Sequence, residues 1–280
     1  MHRLPTFFDA LCATLFAVTC TIAFVPPAQA AAPASGRVFL EEMTSPEVQD
    51  ALRQGSTTII IPVGGTEQNG PHMALGKHNV RVKVLAGRIA STLGKTLVAP
   101  VLAYVPEGGI SPPQAHMRWA GTISISDDAF KAVLDGAARS FRQHGFTDVV
   151  LIGDHGGYQP QLAAVAAKLN RDWAGTPARA HFIAAYYLAT QSTFIQALRA
   201  AGVGEKQIGS HAGAADTALM LATDPAVVNP DELADAAKGV PTNGVTGDPR
   251  AATAALGRLG TDAVVEATVK AIRSELAARR

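Results

Sequence analysis

Two stretches of the chain share an abrupt change of character, and together they restrict the folds open to it. Thr57–Gly65 reads TTIIIPVGG and Thr147–Gly157 reads TDVVLIGDHGG: β-branched runs that empty straight into glycine and then into polar, chemistry-bearing side chains. Ile59, Ile60, Ile61 and Val63 are consecutive or alternating apolar residues of the kind found in strands covered on both faces, which is the condition of a parallel sheet inside an α/β domain. In such sheets the crevice beyond the carboxyl ends of the strands is where sites are built.

The rest of the chain alternates strand and helix signals around these two runs. Pro46 predicts the first turn of a short helix with Ser45 as its N-cap. Val80, Val84, Leu85, Ile89 and Leu93 recur at helical spacing and Gly94 closes them. Thr96–Val105 reads as a strand interrupted by Pro100, and Gly121–Ser126 as a short strand whose last residue caps a helix over Asp127–His144. A helix to about Trp173, a strand over Ala178–Tyr187, a partly helical Thr190–Ala200, a helix through Ala222 and a long alanine-rich helix at the end complete the pattern. Together they predict an α/β three-layer sandwich: a mostly parallel central sheet with helices on both faces.

The opening segment is of another kind. Arg3, an apolar run from about Leu11 to Val25, and Ala28-Gln29-Ala30 have the layout of a signal peptide cleaved near Ala30. The run is short of the ~20 residues a membrane span needs and ends in Pro26-Pro27. The chain is therefore expected to comprise a signal peptide, 1–30, and one domain, 31–280, secreted or periplasmic and without stable membrane insertion. Both cysteines, Cys12 and Cys20, lie in the first segment, so the expected mature domain has neither a disulfide nor a thiolate metal site. A net charge of +1 with the signs interspersed offers no footprint for nucleic acid.

Chemistry-bearing residues gather where strands end or helices begin: Glu67 to His78, Asp154-His155, and His211 to Asp216. Glu67, His78 and His155 make a mixed carboxylate and imidazole set suited to zinc, manganese or ferrous iron with positions left open for water. His211 and Asp216, near a helix start, suit a proton shuttle or an additional ligand, although the residues by themselves favour a capped helix N-terminus with Asp216 solvated. His116 and Trp119, in the glycine- and proline-rich stretch Glu107–Trp119, are candidates for a lid. The 2-His-1-carboxylate composition also admits a non-hydrolytic metal enzyme such as an oxygenase.

Six ordered blocks resemble the creatininase family of metal-dependent amidohydrolases. Pro62–His72 (PVGGTEQNGPH) is similar to the family's PVGSTEQHGPH, and Leu75–His78 follows at the spacing of LGTD. His116 with Gly121–Ser124, Ile152–Gly157, His211–Gly213 with Asp216-Thr217, and Gly244–Pro249 match later blocks in order. The resemblance implies the three-layer fold, a homo-oligomer, commonly a hexamer, and metal-assisted hydrolysis of a non-peptide C–N bond in a small, often cyclic, amide. It places a metal on Glu67 and His155. The chain departs from the pattern at Asn69, where the family has His, and at His78, in the place of a bridging Asp. These exchanges imply one divalent ion, zinc before manganese or iron, on Glu67, His78 and His155. His211, oriented by Asp216, is expected to transfer the proton and Asp154 to anchor the ring of His155. The rival expectation is a degenerate, non-catalytic periplasmic protein that binds a small molecule.

Overall fold

The computed structural model describes residues 37–278, so the expected signal peptide lies outside the described residues. The elements run α1 (Ser45–Arg53), β1 (Thr58–Val63), α2 (Lys77–Leu93), β2 (Thr96–Val98), α3 (Asp127–Gln143), β3 (Asp148–Gly153), α4 (Gln159–Asp172), β4 (Arg179–Phe182), α5 (Ala185–Gln191), α6 (Thr193–Ala200), α7 (Glu205–Ile208), α8 (Ala214–Thr223), α9 (Leu233–Ala236) and α10 (Ala254–Ala278). The four strands form one sheet in the order β2-β1-β3-β4, and every pairing is parallel.

Strand periodicity explains the two apolar layers, because successive side chains point to opposite faces. Ile59, Ile61, Val63, Val149 and Leu151 pack on one face with Phe130, Leu134, Leu162, Leu169 and Trp173 of α3, α4 and the turn after α4. Ile60, Val150 and Ile152 pack on the other face with Val82, Leu85 and Ile89 of α2, Tyr186 of α5, and Val264 and Ile272 of α10. The expected three-layer α/β architecture is the one observed.

Local departures have identifiable causes. The first helix is capped by Thr44 rather than Ser45: the Glu47 carboxylate accepts from both the backbone N–H and the hydroxyl of Thr44. The expected strand over Thr96–Val105 shrinks to three residues, since Pro100 lacks a ladder donor, and rejoins β1 only at the isolated Leu102 bridge. Gly121–Ser126 forms no strand; Ile123 N–H reaches Thr66 O and Ile125 N–H reaches Val105 O as single bonds. The strand expected over Ala178–Tyr187 stops at Phe182, and the apolar residues that follow start α5 instead. Short apolar runs do not distinguish strand from buried helix by periodicity.

α10 packs closely on α8 because it carries glycine where the two helices meet. A Cβ at Gly257 would run into the Ala218 carbonyl oxygen, and one at Gly260 would meet Leu219 and Phe194. Gly257→Ala is expected to destabilise the protein by about 2–3 kcal/mol through overpacking. Gly136→Ala, in α3 where the added methyl meets nothing within 4 Å, is expected to stabilise it by about 0.5–1 kcal/mol. Urea denaturation of the two variants reads both signs.

Candidate functional site

The carboxyl ends of β1 and β3 lie side by side, with Pro62 opposite Ile152 and Val63 opposite Gly153. One hydroxyl ties them together. Tyr158 OH lies 2.9 Å from Val63 O and 2.5 Å from Gly64 O, and it accepts from the backbone N–H groups of Asp154 (3.1 Å) and His155 (3.0 Å). The loop after β1 thus carries Glu67 and the loop after β3 carries His155 into the same space.

Glu67 is fully buried and its two oxygens face different surroundings. Oε1 is 2.9 Å from His78 Nε2, 3.2 Å from Lys77 Nζ and 3.6 Å from His211 Nδ1. Among the described residues Oε2 has no hydrogen-bond partner, although His116 Nε2 is 3.1 Å away and His155 Nε2 3.6 Å. Both oxygens of Glu107 are likewise buried and without hydrogen bonds, and Glu107 Oε2 lies 3.5 Å from His155 Nδ1. Glu67, Glu107, His116 and His155 each present a ligand atom, all within 4.8 Å of one another. Gly65 makes room for this: with φ of +154°, it has no side chain, and a Cβ there would sit 2.5 Å from Glu107 Oε1.

Protonation follows from burial and neighbouring charge. Burial holds His155 down to about 3 and His211 to about 4, and lowers His116 too, so these imidazoles are neutral near pH 7. Burial, then the nearby Glu67 charge, pushes Glu107 up to about 8. The Glu67 carboxylate and the Glu107 acid, whose proton a cation would displace, stand in a dry site beside neutral imidazoles with oxygens that make no hydrogen bond, and fit a divalent cation by donor chemistry.

Two of the three expected ligands, Glu67 and His155, stand in this cluster. His78 does not: its Nε2 is bonded to Glu67 Oε1 and its Nδ1 to Asp154 Oδ2 at 2.6 Å, so both ring nitrogens are engaged by carboxylates. Against burial and the nearby Lys77 charge, the hydrogen bonds it donates to these two carboxylates raise its pKa. Asp154 in turn does not anchor His155. It receives Arg81 through both oxygens and Tyr186 OH at 2.7 Å, while His155 Nδ1 accepts from Gly157 N–H.

His211 lines the pocket as expected, but Asp216 does not orient it. The Asp216 carboxylate accepts from Lys77 Nζ, Arg81 Nη1 and the Ala212 N–H. His211 is held instead by Gln68, whose backbone carbonyl accepts from Nε2 at 2.9 Å. With the proton on Nε2 for that carbonyl, Nδ1 turns into the site, 3.6 Å from Glu67 Oε1; the Gln68 side-chain amide nitrogen lies 3.1 Å from the same Nε2. Asn69 braces the loop, donating to Glu67 O and Ala74 O, while its Oδ1 is buried without a hydrogen bond. His116 belongs to the cluster rather than to a lid, carried on a short 3₁₀ turn, whereas Trp119 is outside both the cluster and the pocket lining.

The pocket has a volume of about 180 Å³. Its charged floor includes Glu67, Lys77, Arg81 and Asp216; Tyr187, Phe194, Ile195 and Leu219 form an apolar wall. Sequence reasoning missed Glu107, Lys77 and Arg81. The signal for Glu107 is an isolated acid between an apolar strand end and a Gly-Gly pair; for the cations it is their i, i+4 spacing at the start of a helix.

The family model described as creatinine amidohydrolase matches residues 41–272. The chain belongs to the creatininase family. A 3-dehydro-scyllo-inosose hydrolase of Thermotoga maritima is 32% identical over 120 residues, a match that spans 42% of this chain but only 36% of that protein. The mycofactocin precursor peptide peptidase of Mycolicibacterium smegmatis is 27% identical over 71% of this chain and 77% of its own length. Among solved structures, a creatinine amidohydrolase superposes with a TM-score of 0.71 at 24% identity, covering 85% of this chain and 98% of that one, which shows the shared fold. As a family member the chain is a hydrolase.

Tyr158→Phe tests the junction between β1 and β3. The variant takes the acceptor from the His155 N–H, while the Asp154 N–H keeps the Val63 carbonyl at 3.0 Å, and is expected to lose about 1–3 kcal/mol in urea denaturation. Loss of this support behind His155 is also expected to weaken Zn²⁺ binding about 10-fold in titration calorimetry.

Proposed function

We propose that this chain is an exported metal-dependent amidohydrolase that cleaves a C–N bond in a small, non-peptide amide, cyclic amides included. The observation that carries the reading is the set of buried oxygens without hydrogen bonds, Glu67 Oε2 and both oxygens of Glu107, clustered with two neutral imidazoles that line a pocket. Glu67, Glu107, His116 and His155 would hold one divalent ion. Zinc comes first on the mixed N/O donor set, with manganese or iron as alternates; solved creatininases are described with manganese and in a Zn-Zn form. When bound, such an ion supplies Lewis-acid polarisation and lowers the pKa of water.

The remaining steps belong to the chain. His211, with its proton fixed on Nε2 by Gln68 O, offers Nδ1 to take a proton and pass it to the leaving nitrogen. Gln68 thereby does the orienting expected of Asp216. The apolar wall of Tyr187, Phe194, Ile195 and Leu219 excludes water and packs the substrate body. A cavity of about 180 Å³ favours a small molecule over an extended peptide.

Two variants test separate parts. His155→Ala and Glu107→Gln are each expected to lower bound metal in elemental analysis of purified protein; metal content equal to wild type in both excludes the ligand set. His211→Asn is expected to keep the metal and to lower kcat by about 10²–10⁴ on a hydrolysed lactam or formamide. A protein that a panel of such amides stabilises thermally without product forming is a binding protein instead. Export rests on the reading of segment 1–30, and N-terminal sequencing of the mature protein is expected to begin near residue 31. Assembly into a homo-oligomer, a hexamer by family likeness, is read by light scattering.

A further inference from the structure

The role of Lys77 is left unexplained by the reading above. Its ammonium is 1% exposed and lies 3.2 Å from Glu67 Oε1 and 3.0 Å from Asp216 Oδ2. Lys77 is the first residue of α2, where the helix dipole disfavours a cation, and no acidic residue occupies that turn. Burying lysine also removes its hydration and its side-chain freedom. The convergence of two buried carboxylates on one nitrogen offsets these costs.

The same turn supplies His78, between Glu67 and Asp154, and Arg81, between Asp154 and Asp216. Three cationic side chains from one helix end thus face three carboxylates from three separate loops or helix starts, and the charges balance without any ion. Their arrangement divides Glu67 in two: Oε1 is taken by Lys77 and His78, while Oε2 is left for the cluster with Glu107, His116 and His155.

We propose that Lys77 is a built-in cation, standing where Glu67 and Asp216 would otherwise gather a second divalent ion, that limits the centre to one ion and positions Glu67 as a one-oxygen ligand. The limit to one ion rests on the metal reading above; the place of Lys77 as the cation between Glu67 and Asp216 does not.

Wild-type protein dialysed against excess Zn²⁺ is expected to hold one ion per chain. Lys77→Met keeps the length and removes the charge, leaving Glu67 Oε1 and Asp216 uncompensated on that side. In EDTA this variant is expected to melt about 10 °C below wild type. Millimolar Zn²⁺ is expected to recover most of that loss and to add one ion per chain relative to wild type. The same recovery is expected when Lys77→Met is placed in a Glu107→Gln/His155→Ala background, where the first ion is lost. If Lys77→Met folds only when Zn²⁺ is present during refolding, that dependence supports the proposal; failure to fold with and without Zn²⁺ overturns it. Two ions per chain in the wild type, or a Lys77→Met protein that gains neither ion nor stability from Zn²⁺, also overturns it. A wild type that holds no ion refutes the metal reading alone, and Zn²⁺-dependent recovery of Lys77→Met then decides the role of Lys77.

Discussion

The site depends on one buried carboxylate with unlike neighbours at its two oxygens. Glu67 Oε1 is satisfied by cationic side chains of α2, and Oε2 faces His116 and His155 without a donor. An ionised carboxylate with zero exposure is tolerable only with compensation at short range. Nearby Lys77 and hydrogen-bonded His78 hold Glu67 well below the ordinary carboxylate range against the opposing effect of burial. The carboxylate is therefore charged and aimed before any ion or substrate arrives.

The sheet makes this arrangement attainable. Parallel β1 and β3 end at the same level, and the loops leaving them must satisfy their freed backbone groups. Tyr158 does so with a single hydroxyl, and from the next turn α4 begins. Arg81 then joins Asp154 to Asp216, so the helix start at α8 is tied to the exit of β3 through a buried guanidinium. Residues far apart along the chain share one charge balance, and a substitution at any of them acts on the others.

Much of this was legible before the fold was known. The β-branched runs located β1 and β3, and the polar groups at their ends located Glu67 and His155. The sequence did not reveal which charged groups pair. His78 is a ligand type at a ligand-like spacing, yet two carboxylates occupy it; Asp216 follows His211 closely, yet Lys77 and Arg81 occupy it. Pairing of buried charges depends on side chains from several elements, and residue type does not encode it. Glu107 escaped for a different reason: its irregular loop has no periodicity, and its approach depends on the absent side chain of Gly65. Likewise, the end of β4 at Phe182 was hidden because apolar residues continue unbroken into α5.

The pocket draws its floor and, apart from Leu219 of α8, its wall from different parts of the chain. The acids and bases come from strand exits, α2 and the start of α8, whereas Tyr187, Phe194 and Ile195 come from the consecutive short helices α5 and α6. These two helices also contact α10, which packs on α2 and α8 as well. Selectivity can therefore be recut by exchanging a few bulky groups on two short helices, while the reactive machinery beneath keeps its geometry and charge.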